Sequence, residues 1–224
     1  MEPPAGGVSA EAVRIALAYG YGPGTGARFI SFPTHHTRHV ATQERRPSAH
    51  IEACFAVPEA GPLPDPLREI LDLVAEADVV LNTGHISAPE AVRLVEAAKA
   101  AGVTRILVPS SHYAADEVRA IVGLGAYVEF SYFFVSPATQ IGLTHVDAEA
   151  HIIPAATVPG LVSLIRAAGY ERAIVSSDCG VGVLPVPIEG LRSFLMLLAA
   201  AGVARADLRR MVADNPLRLF RVIA

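Results

Sequence analysis

Val79–Gly102 reads "VVLNTGHISAPEAVRLVEAAKAAG". The run Val79–Asn82 is apolar and β-branched, as in a strand buried on both faces. Thr83-Gly84-His85 then breaks it. Ser87 follows as an N-cap, with Pro89 in the first turn and Glu90 three residues beyond the cap, which predicts a helix closing at Gly102. This is a strand, a short turn ending in an imidazole, and a helix.

The unit recurs. Ala27–Pro33, Arg105–Pro109, Tyr127–Phe134 and Arg172–Ser176 are further short apolar runs. Helical patterns lie between them in "PDPLREILDLVAEAD", "YAADEVRAIVGLG" and "TVPGLVSLIRAAGY". Three consecutive helices close the chain, over "IEGLRSFLMLLAAAG", "ARADLRRMVADN" and "NPLRLFRVIA". Alternating β and α at this spacing predicts an α/β protein with a parallel sheet. It is either an open doubly wound sheet or a (β/α)₈ TIM barrel, and both place their chemistry at the carboxyl ends of strands. Thr34–Pro66 and Ser136–Pro154 read as long loops, the first with a short strand at "HIEACFAV", and "GYGPGTGA" reads as a flexible connection.

Composition narrows the function. The 224 residues are 52% hydrophobic and 18% charged, enough for one domain with a substantial core over 1–224 and against disorder. No apolar stretch reaches the length of a membrane span, and "LRSFLMLLAAAGVARADL" reads as a buried helix. The start lacks a secretory pattern, and two cysteines, Cys54 and Cys179, suit a reducing compartment, so a cytoplasmic location is expected. A net charge of −4 with scattered arginines gives no nucleic-acid footprint. Small-molecule substrates remain.

Three of the strands end in polar groups: His85 after "TG", His112 after "SS" and Asp178 after "SS". Strand ends converge on one rim in either architecture, so these three can meet around one small ion. Two neutral imidazoles and a carboxylate suit Zn²⁺, and also Mn²⁺ or Fe²⁺. An ion with an open position acidifies water, and Asp178 would serve as a ligand or as the general base. The hydroxyls of Thr83, Ser110, Ser111, Ser176 and Ser177 would orient the ligands. "FPTHHTRH" adds His35, His36 and His39, which either supply a further ligand or, with Arg38, hold an anionic substrate; the plainer reading is an exposed polar loop. Glu129 lies within "YVEFSYFF". Either it points into the barrel mouth, or the strand begins later and leaves it at an edge. Cys179 reads as a small packed residue.

The succession "TGH", "SSH" and "SSD", followed by "DNPLRLF", resembles the metal-dependent amidohydrolase superfamily, most closely a branch of predicted bacterial hydrolases. The resemblance spans roughly Ala10 to Phe220. It implies a (β/α)₈ barrel in which His85 and His112 are the ligands after the fifth and sixth strands and Asp178 is the acid after the eighth. Asn215-Pro216 would begin the closing helix. The implied activity is cleavage of an amide, ester or related bond by water activated on a divalent metal. The chain departs from that pattern in having no His-x-His motif, and its only lysine, Lys99, lies mid-helix. Counted back from Asp178, Ala27–Pro33 is the fourth strand, so about five of eight are expected, and a partner chain or a second copy would cover the open edge. A non-catalytic scaffold relative and an open-sheet enzyme working without metal are the alternatives.

Overall fold

A computed structural model of the protein describes residues 1–20, 25–141 and 152–222. Among them lie α1 (Ala10–Ala18), β1 (Phe29–Ser31), α2 (Arg38–Gln43), α3 (Ser48–Ala53), α4 (Asp65–Ala77) and β2 (Val80–Asn82). These are followed by α5 (Ala88–Ala100), β3 (Ile106–Pro109), α6 (Ala115–Gly123), β4 (Tyr127–Ser131), α7 (Val158–Ala168) and β5 (Ala173–Ser176). The chain ends in α8 (Pro187–Ala200), α9 (Arg205–Arg209) and α10 (Asn215–Phe220). All five strands are parallel and stand in the order β1-β2-β3-β4-β5. Each strand is followed by a helix before the next begins. The fold is therefore α/β, with the sequential parallel order of a TIM-barrel sheet, and each of the five apolar runs carries one of the five strands found among the described residues.

The pleat separates two faces. Ile30, Leu81, Ile106, Val108, Val128, Phe130, Ala173 and Val175 point to the helices and join the main core with Leu67, Ile70, Leu94, Ile121, Ile165 and Phe194. Their neighbours point to the inner face. At its amino end Val80, Leu107 and Ile174 form a small apolar cluster capped by Leu219 and Phe220 of α10. Asn215, fully buried at the start of α10, donates through Nδ2 to Tyr170 O (2.8 Å) and Ala173 O (2.7 Å). The closing helix thus plugs the floor of the inner face. One step toward the carboxyl end the register aligns Ser31 with Asn82, Pro109 with Glu129, and Ser131 with Ser176. Apart from Pro109 those positions are polar, and Glu129 points inward from within the strand, lining a cavity with Ser31, Asn82, Ser131 and Ser176.

Several expectations are corrected. Thr34–Pro66 is not an irregular loop: it carries α2, α3 and the start of α4. "HIEACFAV" is no strand, since His50–Ala53 lies in α3 and only Phe55 bridges to Thr37. The run Tyr127–Phe134 leaves the sheet after Ser131 and turns through a 3₁₀ segment, Tyr132–Val135. Helix α8 buries one face only, through Gly190, Phe194 and Leu198, while Ile188 and Met196 are exposed. No helix among the described residues is long and apolar enough to cross a membrane. Most of the Ser136–Pro154 loop and half of "GYGPGTGA" lie outside the described residues, as do His145 and His151.

Candidate functional site

The turn after β2 is built to deliver His85. Gly84 sits at φ +72°, and a Cβ on it would lie 2.0 Å from Pro33 O. Only glycine allows the end of β2 to press so closely on the end of β1. Asn82 Oδ1 accepts from Gly84 N (2.8 Å), His85 N donates to Pro33 O (3.1 Å), and Thr37 Oγ1 donates to His85 O (2.5 Å). The backbone of His85 is therefore held on both sides.

After β3, Ser110 N donates to Glu129 O (2.9 Å) and its hydroxyl to Val108 O (2.9 Å). Ser111 Oγ accepts from Ser131 N (3.3 Å). The Ser110 hydroxyl thus caps its own strand and Ser111 ties the end of β3 to β4; neither bond goes to an imidazole ring. His112 follows, and Tyr113 donates its hydroxyl to Ile86 O (2.6 Å), tying the third strand's turn to the second's. Burial pushes the Tyr113 phenol well above its usual range. After β5, Asp178 adopts φ +50°, a left-handed conformation in which Asp is tolerated better than most residues. Cys179 is buried, and a Cβ on Gly190 would strike its Sγ, so it packs tightly against α8.

These strand ends meet at one cavity of about 290 Å³. Its wall includes His35, His39, His85, His112 and Asp178. The rest of the wall is largely apolar and aromatic, with Ile86, Tyr113, Phe133, Phe134 and Val181. The rings of His85 and His112 flank Phe134, with centroids 6.2 and 4.5 Å away. Burial, reinforced by His35, His112 and His39, holds the pKa of His85 down at about 4. Burial and then His39 do the same for His112, also to about 4. Both imidazoles are neutral near pH 7 and offer lone pairs. Nε2 of His112 is buried without a hydrogen-bond partner.

A second cavity, about 340 Å³, opens onto the inner face of the sheet. Ser31, Asn82, Glu129, Ser131 and Ser176 line it, and it shares Thr34, His35, His85, Pro109 and Asp178 with the first. Burial raises the Glu129 carboxyl, as Asp178 also does, and the Ser176 hydroxyl opposes the rise.

The remaining sequence candidates separate. His39, on α2, pairs with Gln43 (3.0 Å) and faces the first cavity. His36 lines neither cavity: its Nδ1 meets Glu2 (3.2 Å) and its ring lies 5.8 Å from that of His50. Arg38 also lies outside both and reaches toward Glu52 O (3.5 Å). Glu2 carries no signal in the sequence, yet it organises the loop by accepting from the N–H groups of Thr34 (2.5 Å), His35 (3.0 Å) and His36 (3.0 Å). Burial would raise its carboxyl, but those three donors outweigh that and hold it at about 2. Phe133 and Phe134 belonged to a predicted strand and are instead turned by the 3₁₀ segment onto the wall.

The donor set fits a divalent cation in kind: neutral imidazoles, a carboxylate and one buried ring nitrogen left unpaired. Among the described residues, no three His, Cys, Asp or Glu side chains stand close enough to form a ready-made cage.

The fold is similar to that of solved hydrolase structures. The organophosphorus hydrolase from Deinococcus radiodurans aligns at a TM-score of 0.57 and 14% identity, covering 94% of this chain and 61% of that one. A mutant PTE-like lactonase of the same organism aligns at 0.57 and 15%, covering 94% and 63%. This chain therefore spans about three fifths of their length, and at such identities the likeness concerns the fold. A comparison with curated proteins found no match. One family, described as a family of unknown function (DUF6282), matches residues 1–129. That match takes in more than half of the chain, from α1 into β4, and the protein belongs to the DUF6282 family.

Proposed function

We propose that the protein is a metal-dependent hydrolase of small molecules, of the amidohydrolase type, cleaving an amide, ester or related bond. One observation carries the reading: three groups far apart in the chain, His85, His112 and Asp178, line a single cavity at the carboxyl ends of parallel strands. In this reading His85 and His112 hold a divalent ion, Zn²⁺ or else Mn²⁺ or Fe²⁺, with Asp178 as a third donor or as the base. His35 or His39 completes the set. Such an ion supplies Lewis acidity, making water a nucleophile near neutral pH and polarising the bond to be cut. Asp178 receives the proton of the attacking water on its carboxylate. Phe133 and Phe134 keep bulk water from the reacting groups.

Metal analysis of the purified full chain tests this. About one equivalent of zinc is expected, as a mononuclear site requires. His85→Ala and His112→Ala should each lose it while keeping the far-ultraviolet circular dichroism of the parent. Asp178→Asn should abolish turnover of a panel of aryl esters and lactones. A folded chain that takes up no zinc, manganese or iron sinks the proposal. The alternative, a binding protein that uses the same cavity without chemistry, is favoured by the lack of a ready-made cage among the described residues.

A further inference from the structure

The cavity on the inner face of the sheet presents hydrogen-bonding groups that the fold itself does not use up. Ser31 on β1, Asn82 on β2, Glu129 and Ser131 on β4 and Ser176 on β5 line its volume of about 340 Å³, with the Phe29 ring as part of the wall. Asn82 and Ser131 are only 7% and 6% exposed. The side-chain oxygen of Asn82 accepts from Gly84 N (2.8 Å), whereas its amide nitrogen makes no hydrogen bond among the described residues. The backbone N–H of Ser131 donates to Ser111 Oγ (3.3 Å), and its own hydroxyl makes none among them either. Ser31 Oγ gives its proton to Phe32 O (2.8 Å), which leaves its lone pairs available. Ser176 stands beside the Glu129 carboxyl. Buried polar groups are normally hydrogen-bonded, so a wall of this kind calls for a hydrogen-bonding ligand.

We propose that this cavity binds an uncharged polyhydroxyl group, a sugar or a polyol. The amide protons of Asn82 need acceptors and the Ser31 oxygen needs a donor. The Ser131 hydroxyl takes either, and the Glu129 oxygens accept in either protonation state. A ligand carboxylate only accepts and an ammonium only donates, so each leaves part of the wall without a partner. A hydroxyl does both. One hydroxyl does not suffice, because the groups stand on four strands and neighbouring strands lie about 4.8 Å apart. Hydroxyls on successive carbons span that distance. A volume of about 340 Å³ is near the lower end of small-molecule sites, roughly 300–1,000 Å³, which limits the ligand to about one sugar ring. The inference concerns binding alone. It invokes none of the groups assigned to the metal, so it stands independently of the hydrolase reading.

Binding to the purified full chain is read by ligand-observed nuclear magnetic resonance. The probes are myo-inositol, glucose, galactose and mannitol, set against cyclohexanol, cyclohexylamine and cyclohexanecarboxylate, which carry a single head on a six-carbon ring. At least one polyol should bind about tenfold or more tightly than every single-headed ring. Ser131→Ala and Glu129→Leu should each weaken that polyol about tenfold while keeping the far-ultraviolet circular dichroism of the parent. Glu129→Gln, which keeps an acceptor and adds a donor, should bind it within about threefold of the parent. Should Glu129→Leu fail to fold, Ser131→Ala and the probe series decide. Three results overturn the inference: no polyol bound more tightly than cyclohexanol, an amine or carboxylate bound as tightly as the best polyol, or a polyol indifferent to Ser131→Ala. Metal content is measured on the same samples. Polyol binding without metal upholds this site and removes the hydrolase; metal uptake without polyol binding removes this inference alone.

Discussion

Gly84 is the residue on which the candidate site turns, because its positive φ and its 2.0 Å clearance to Pro33 O admit no side chain. Gly84→Ala should destabilise the protein by more than about 2 kcal/mol, read as a lowered urea midpoint at unchanged slope. It should also weaken metal uptake, although it removes no donor. Glu2 offers a pH prediction. Its folded pKa is about 2 against a usual 4.5, so it binds fewer protons folded than unfolded between those values. Its stabilising effect is full above about pH 4.5 and disappears as the pH falls through about 2. Glu2→Gln should therefore lower stability by about 1–2 kcal/mol at pH 7 and by almost nothing near pH 2. Equal differences at both pH values would show that the backbone hydrogen bonds do not depend on the carboxylate charge. His85, His112 and Asp178 were legible as residues, since each ends an apolar run after small hydroxyl or glycine residues. Glu2 was not legible, because a carboxylate near the start of a chain looks the same whether it meets three N–H groups or water.

At the scale of elements, local rules worked where a segment contained its own stop and start signals. The Glu90 carboxylate takes the backbone N–H of Ser87 (2.9 Å), as the spacing Ser87-x-x-Glu90 predicts, and it also accepts from the Ser87 hydroxyl (2.6 Å). Its other oxygen accepts from Val57 N (2.8 Å), so the cap also anchors the segment after α3. Ser87→Ala should cost about 1 kcal/mol in thermal unfolding, while Glu90→Ala should cost more, because it also strands the Val57 N–H. The sequence misled where six or eight residues carried an ambiguous pattern. His50–Val57 mixes polar and apolar positions too briefly to tell a strand from a turn of helix. In "YVEFSYFF" the apolar run continues past the sheet, and composition alone could not show that the chain bends after Ser131 to set Phe133 and Phe134 beside the histidines.

For the molecule as a whole, the closing helix decides what the inner face can be. Leu219 and Phe220 cover the amino end of that face, Phe220 stacks on Phe29 at 6.0 Å, and Asn215 satisfies the carbonyls of Tyr170 and Ala173. Asn215→Ala leaves both carbonyls without that donor inside the fold and should lower global stability by about 2 kcal/mol. Ligand affinity, measured well below the melting temperature, should change little, because the cavities lie at the opposite ends of the strands. A large loss of affinity without a loss of stability would contradict this division between floor and mouth.

The alternation of apolar runs and capped amphipathic helices, by itself, determined the parallel α/β class, the places of the five sheet strands and the three polar strand ends. These depend on contacts a few residues apart and on the 3.6- and 2-residue periods. Only the tertiary structure decided that His39 joins the wall while His36 and Arg38 leave it, that Glu129 faces inward, and that an apolar and a polar cavity share His85 and Asp178. Those outcomes depend on which strand ends become neighbours and on how a loop packs across them, and no local pattern encodes a contact made over fifty or more residues.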